Sequence, residues 1–113
     1  MSYKITRASD AYEYTAPGHF NVQCTRLVDA GEAEGKLIVG VSHFEVGGGT
    51  EFKASALESV YYILKGQMTV KTETEETVLH AGDVIHCGGG TPKSVLNTGD
   101  CVCDMLVCLV SAK

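Results

Sequence analysis

Turn signals interrupt this chain about every 8–12 residues, and the stretches between them are short and rich in β-branched and aromatic residues. Pro17-Gly18, the loop at 29–36, Gly47-Gly48-Gly49, Lys65-Gly66, Ala81-Gly82-Asp83, Gly88-Gly89-Gly90 and Asn97-Thr98-Gly99 supply the punctuation. Such spacing leaves no room for long helices, and the second half shows no helical periodicity. Extended segments are predicted at 19–28, 37–46, 51–64, 67–72, 77–80, 84–87, 94–96 and 100–110. The first triple glycine is expected to end the strand that begins at Leu37. Seven to nine short strands in one chain point to a sandwich or a barrel.

Several strands, such as Tyr61 to Leu64 and Cys103 to Val110, are apolar on both faces. One face must line an interior, and the other needs a second sheet or another subunit over it. A homodimer is therefore expected. The 113 residues suit a single domain, with 1–36 as an N-terminal extension carrying the first strand or strands and 37–113 as the barrel.

A net charge of -5 and the lack of a Lys/Arg cluster argue against nucleic acid as a partner. No apolar run approaches the roughly 20 residues that span a bilayer, so no membrane partner is expected. Residues 1–10 lack the apolar core of an export signal, and a cytoplasmic location is expected. Five cysteines, an odd number, argue against a disulfide framework. Cys101 and Cys103 share one face if both lie on a strand; without a second pair at zinc-finger spacing, burial as small apolar residues is the plainer expectation.

Two segments carry more information. The first runs from Gly47 to Gly66, GGGTEFKASALESVYYILKG, and the second from Gly82 to Asn97, GDVIHCGGGTPKSVLN. Both resemble the paired motifs of the cupin superfamily. Gly47 and Gly66 fall on the glycine positions of the first motif, and Gly82, Gly90 and Asn97 on framework positions of the second. The metal-ligand positions differ. Lys53 and Ser55 stand where the family has two histidines, Ser59 stands at the glutamate position with Glu58 beside it, and Lys93 stands at the last histidine. Gly88 replaces a proline. The resemblance implies an all-β, single-domain jelly-roll barrel, a double-stranded β-helix.

Strand parity gives a separate reason to group these residues. Lys53, Ser55, Ser59 and Tyr61 are all odd-numbered, so on extended backbone they share one face. Glu58 has the opposite parity and should point away. Two amines and two hydroxyls are poor ligands for a divalent cation, so no metal and no other cofactor is expected. Lysines in a barrel interior suit an anion, such as a carboxylate or a sugar acid. A desolvated lysine beside a second cation is also suited to act as a base or Schiff-base nucleophile. The alternative is that Lys53 and Lys93 simply reach solvent at the barrel mouth.

His43, on the strand before the first motif and in phase with Leu37, Val39 and Val41, and His86, on the strand leading to Lys93, are both expected to face the cavity. An unconventional metal site from His43, His86 and Cys87 is the less favoured role for them. The ligand-binding set is thus Lys53, Ser55, Ser59, Tyr61, His43, His86 and Lys93, with Lys93, His86 and Lys53 the candidates for catalysis. Three functions compete: binding a small anionic or sugar-like molecule without a metal, a metal-independent isomerase, epimerase or lyase, and a structural or assembly role. Fold alone does not choose among them.

Overall fold

The computed structural model describes residues 2–111, apart from the side chain of residue 34. Ten strands run β1 (Tyr12–Tyr14), β2 (His19–Val28), β3 (Leu37–Thr50), β4 (Lys53–Ala54), β5 (Glu58–Lys65), β6 (Gln67–Lys71), β7 (Glu76–His80), β8 (Val84–Cys87), β9 (Pro92–Leu96) and β10 (Cys103–Val110). The only helical pieces among the described residues are two single 3-10 turns, Ala8–Asp10 and Glu32–Glu34. The all-β, single-domain jelly roll expected from the sequence is the observed fold.

All pairings are antiparallel. One sheet has the order β1-β2-β3-β10-β5-β8. The other has β9 at its centre, with β6 and β4 against it and β7 outside β6. The two layers meet where Gly49 of β3 pairs with Leu96 of β9. This closure explains why the strand from Leu37 does not stop at the triple glycine, as the sequence suggested, but runs on to Thr50. A Cβ on Gly49 would sit 2.2 Å from the Val95 carbonyl oxygen, and one on Gly48 would sit 2.2 Å from that of Asn21. The glycines are there because three strands cross at that point, not because the chain turns.

The framework glycines have a common conformational reason. Gly47, Gly66, Gly82 and Gly90 all adopt positive φ, between 83° and 94°, a region that side chains make costly. At Gly66 space is short as well, since a Cβ would lie 2.8 Å from the Val102 carbonyl oxygen.

Inward residues alternate along each strand. Phe44, Ile63, Met68, Val70, Val95, Cys103 and Met105 form the buried core. Asn97, 1% exposed, ties the second motif to this core. Its Nδ2 donates to the carbonyls of Phe44 and Cys101 at 3.0 and 2.9 Å, and its Oδ1 accepts from the Gly99 amide at 3.0 Å. Three backbone groups at a strand end would otherwise lack partners. The Cys101/Cys103 pair is split: β10 begins at Cys103, which is buried, whereas Cys101 is exposed in the preceding loop.

Candidate functional site

Strands β4 and β9 build one wall of the interior. They pair with Lys53 opposite Lys93 and Ala54 opposite Pro92. Residues directly opposed in an antiparallel ladder project to the same side, so the two lysines leave the sheet together. Thr50, at the end of β3, is fixed beside them because its Oγ1 accepts the Val95 amide at 3.2 Å. Ser55 is fixed by the turn after β4: its Oγ accepts the Leu57 amide at 3.3 Å, and its carbonyl accepts the Gly90 amide at 2.6 Å.

These residues open onto a cavity of about 260 Å3. Lys53, Ser55, Lys93, Val95, Thr50 and Glu51 line it on one side, and Phe44, Met105, Val107 and Leu109 give it an apolar stretch from β3 and β10. Tyr14, Ala16, Pro17 and His19, from the segment entering β2, also line it, as do Arg26, Ser42 and Tyr61.

The two lysines have different surroundings. Lys53 is exposed, and its Nζ donates to the Pro17 carbonyl at 3.4 Å. Lys93 is 7% exposed, and its Nζ lies 4.9 Å from the centre of the Tyr61 ring. Among the described residues this ring face is its one favourable contact; no carboxylate or carbonyl pairs with it. Burial pushes the Tyr61 phenol up to about 12, so the ring is neutral across the physiological range. Arg26 packs its guanidinium 4.4 Å over the Tyr14 ring and donates to Asp29 at 2.8 Å, while its buried Nε has no partner among the described residues.

The structure brings Lys53, Ser55 and Tyr61 to one cavity, as strand parity suggested, and Lys93 of the second motif lines it with them. Ser59 shares the inward face but lies outside the cavity wall, at 2% exposure, with its Oγ unpartnered among the described residues. The two histidines are a correction. His43 lies on the outer face, where its Nδ1 is 2.7 Å from Asp104 Oδ1. The inward phase of β3 is even, set by Ser42 and Phe44, not by the odd series Leu37, Val39 and Val41. His86 also faces outward, 2.5 Å from Glu58 Oε2, which turns away from the cavity as expected. Cys87 points inward and is buried. His43, His86 and Cys87 therefore do not converge, and among the described residues no three His, Cys, Asp or Glu side chains group closely enough to hold a metal ion.

Sequence reasoning missed Thr50, Glu51, Arg26, Tyr14 and His19 as cavity residues. Arg26 left a trace: on 19–28 it falls in phase with Val22 and Cys24, a charge on an otherwise apolar series. The cavity also bears on the metal that the cupin resemblance implies. The four corresponding positions hold two ammonium groups and two hydroxyls, and one hydroxyl is out of the cavity altogether. This donor set does not fit a divalent cation.

Comparison with known proteins places this geometry in context. The cupin domain family matches residues 40–109. A Mycobacterium tuberculosis protein named beta-D-galactosidase is 38% identical over 99 residues, 86% of this chain and 84% of that protein. Among solved structures, the polyketide cyclase RemF of Streptomyces resistomycificus superposes with a TM-score of 0.81 at 18% identity, covering 96% of this chain and 80% of that one. An RmlC-like cupin from Shewanella frigidimarina superposes with a TM-score of 0.79 at 15% identity, covering 99% and 94%.

Proposed function

The chain belongs to the cupin family, and on that premise we propose that its barrel binds a small anionic molecule without a metal. The observation that carries this reading is Lys93, a lysine only 7% exposed that lines the cavity and has no anionic partner among the described residues. A largely desolvated charge without a counter-charge is expensive. An anion entering the cavity offsets that cost, whereas a divalent cation adds to it. Ser55, Thr50 and Tyr61 orient the bound molecule, and Lys53 attracts it at the mouth.

The same reading holds the protein to be a cytoplasmic homodimer that does not bind nucleic acid. Val60, Tyr62 and Leu64 on the outer face of β5, and Leu106 and Cys108 on that of β10, are apolar or aromatic, which supports a subunit contact there. The five free cysteines support a reducing compartment, and the net charge of -5 disfavours nucleic acid.

Catalysis on the bound molecule is the second reading, supported by the relative named as a galactosidase. Glycoside hydrolysis ordinarily uses two carboxylates, and the cavity wall supplies one, Glu51. Binding is therefore ranked first. Turnover of a nitrophenyl β-galactoside that is lost in Glu51→Gln would reverse that order.

The test of the primary reading is thermal stability against a panel of small carboxylates, with and without EDTA. Binding raises the melting temperature by mass action. A rise that persists in EDTA and disappears in Lys93→Met supports the proposal. A rise abolished by EDTA, or no rise with any acid, contradicts it.

A further inference from the structure

Lys93 is not the only donor on its wall of the cavity. Thr50 Oγ1 accepts the Val95 amide and Ser55 Oγ accepts the Leu57 amide. A hydroxyl has one proton and two lone pairs. Each of these hydroxyls spends a lone pair on the backbone, and neither donates to another described group. The backbone bonds hold the oxygens in place while the protons stay available. Two hydroxyl donors and an ammonium on one wall call for a group that only accepts, and a carboxylate is such a group.

The side of the cavity built by β3 and β10 is mostly apolar. Phe44, Met105, Val107 and Leu109 offer no side-chain hydrogen-bonding group, and Ser42 and Arg26, which line the cavity beside them, are already bonded to Cys24 Sγ and Asp29. A hydroxylated chain laid along Phe44, Met105, Val107 and Leu109 would find few partners to replace its bonds to water. A hydrocarbon or aromatic body would lose nothing polar and gain burial. At about 260 Å3 the cavity falls just under the range of roughly 300–1,000 Å3 that holds drug-sized ligands. That size suits a small metabolite.

We propose that the ligand is a small carboxylic acid with an apolar body, its carboxylate held by Lys93, Thr50 and Ser55 and its body against the Phe44–Met105 wall. This inference rests on the reading of Lys93 as the anion anchor and adds the ligand class. It also makes Thr50 a binding residue, which the motif comparison alone does not.

Isothermal titration of the full chain with four probes tests it: phenylacetate, gluconate, inorganic phosphate and the neutral 2-phenylethanol. Phenylacetate is expected to bind at least about tenfold tighter than each of the others. Ser55→Ala is expected to weaken phenylacetate several-fold with an unchanged circular dichroism spectrum, and Thr50→Val to weaken it further. Should Thr50→Val fail to fold, Ser55→Ala, at an exposed turn, decides alone. Gluconate or phosphate binding as tightly as phenylacetate, with Lys93→Met abolishing all of it, overturns the apolar body and leaves the anion anchor standing. Equal binding of 2-phenylethanol overturns the carboxylate head. No binding by any probe overturns both this inference and the reading beneath it.

Discussion

Lys53 and Lys93 stand directly opposite one another across the β4–β9 ladder, and their environments differ sharply. Lys53 reaches solvent and the Pro17 carbonyl, while Lys93 is buried over the Tyr61 ring. Like charges directly opposite one another destabilise a sheet. Local rules of stability are broken most often where a site requires it, and here the repulsion raises the positive potential at one end of the cavity.

The first prediction concerns the stability of Lys93→Met. Most substitutions at buried positions destabilise. This one removes an ammonium that has no anionic partner and substitutes an apolar chain of similar length. Replacing a poorly compensated buried charge by a hydrophobic residue is often neutral or stabilising. The urea midpoint of Lys93→Met is expected to equal or exceed that of the wild type. A clear fall would mean that the ammonium is satisfied in a way the structure does not show.

A second prediction follows from the ladder register. Lys53→Glu turns a cross-strand repulsion into an attraction, with the new carboxylate on the exposed member of the pair. The variant should gain roughly 0.5–1 kcal/mol at low salt, with the gain shrinking toward 0.5 M salt as screening grows. Its affinity for an anion should fall, because the mouth then carries a negative charge. Urea melts at two salt concentrations, with parallel ligand titrations, check both halves.

Asn97 supports a prediction about the framework alone. Asn97→Ala strips partners from the Phe44 and Cys101 carbonyls and the Gly99 amide at a position that is 1% exposed. Unsatisfied buried groups cost about 1–3 kcal/mol each, with partial relief by relaxation. A loss of about 2–4 kcal/mol in chemical denaturation is expected, whereas a loss under 1 kcal/mol would mean that the turn is held by other contacts.

Much of this fold was legible in the sequence because the turns have local causes. Gly47, Gly66, Gly82 and Gly90 need positive φ, and a residue without Cβ is what the sequence supplies. Parity along β5 was legible for Ser59 and Tyr61, since the period of two is a property of extended backbone. The phase of β3 was not. The outward series Leu37, Val39 and Val41 is more apolar than the inward pair Ser42 and Phe44, so hydrophobicity alone gave His43 the wrong face. Gly48 and Gly49 misled for a different reason: their role is long-range, set by Asn21 and Val95, and nothing nearby in the sequence marks it. The three-residue strand Tyr12–Tyr14 exists through its pairing with β2, again a distant cause. Arg26 and Thr50 reach the cavity from β2 and from the end of β3, which the motif comparison does not address.

Tyr61 gives a pH prediction. Its phenol, ordinarily near 10, is held up to about 12 chiefly by burial. Below pH 10 it is neutral in both folded and unfolded chains. Between 10 and about 12 the unfolded chain releases the proton and the folded chain keeps it. Stability therefore falls as pH rises through this window, by an amount of order 2–3 kcal/mol. Cys103, pushed up to about 11 mainly by burial, adds a fall of the same sign starting near 9. The Tyr61→Phe variant should retain the cysteine's share and lose the tyrosine's, so its denaturation free energy should decline less steeply between pH 10 and 12. Equal slopes would contradict the burial of the phenol.

The most direct measurement on the central claim is the Hε–Cε cross-peak of Lys93 in a carbon–proton correlation spectrum, assigned by Lys93→Met and followed during titration with phenylacetate in EDTA. A saturable shift is expected at Lys93, a smaller one at Lys53, and none at Lys65 or Lys71. A Lys93 peak that stays still while the acid binds would show that the anion is held elsewhere, and the Lys93 ammonium would then have no part in recognition.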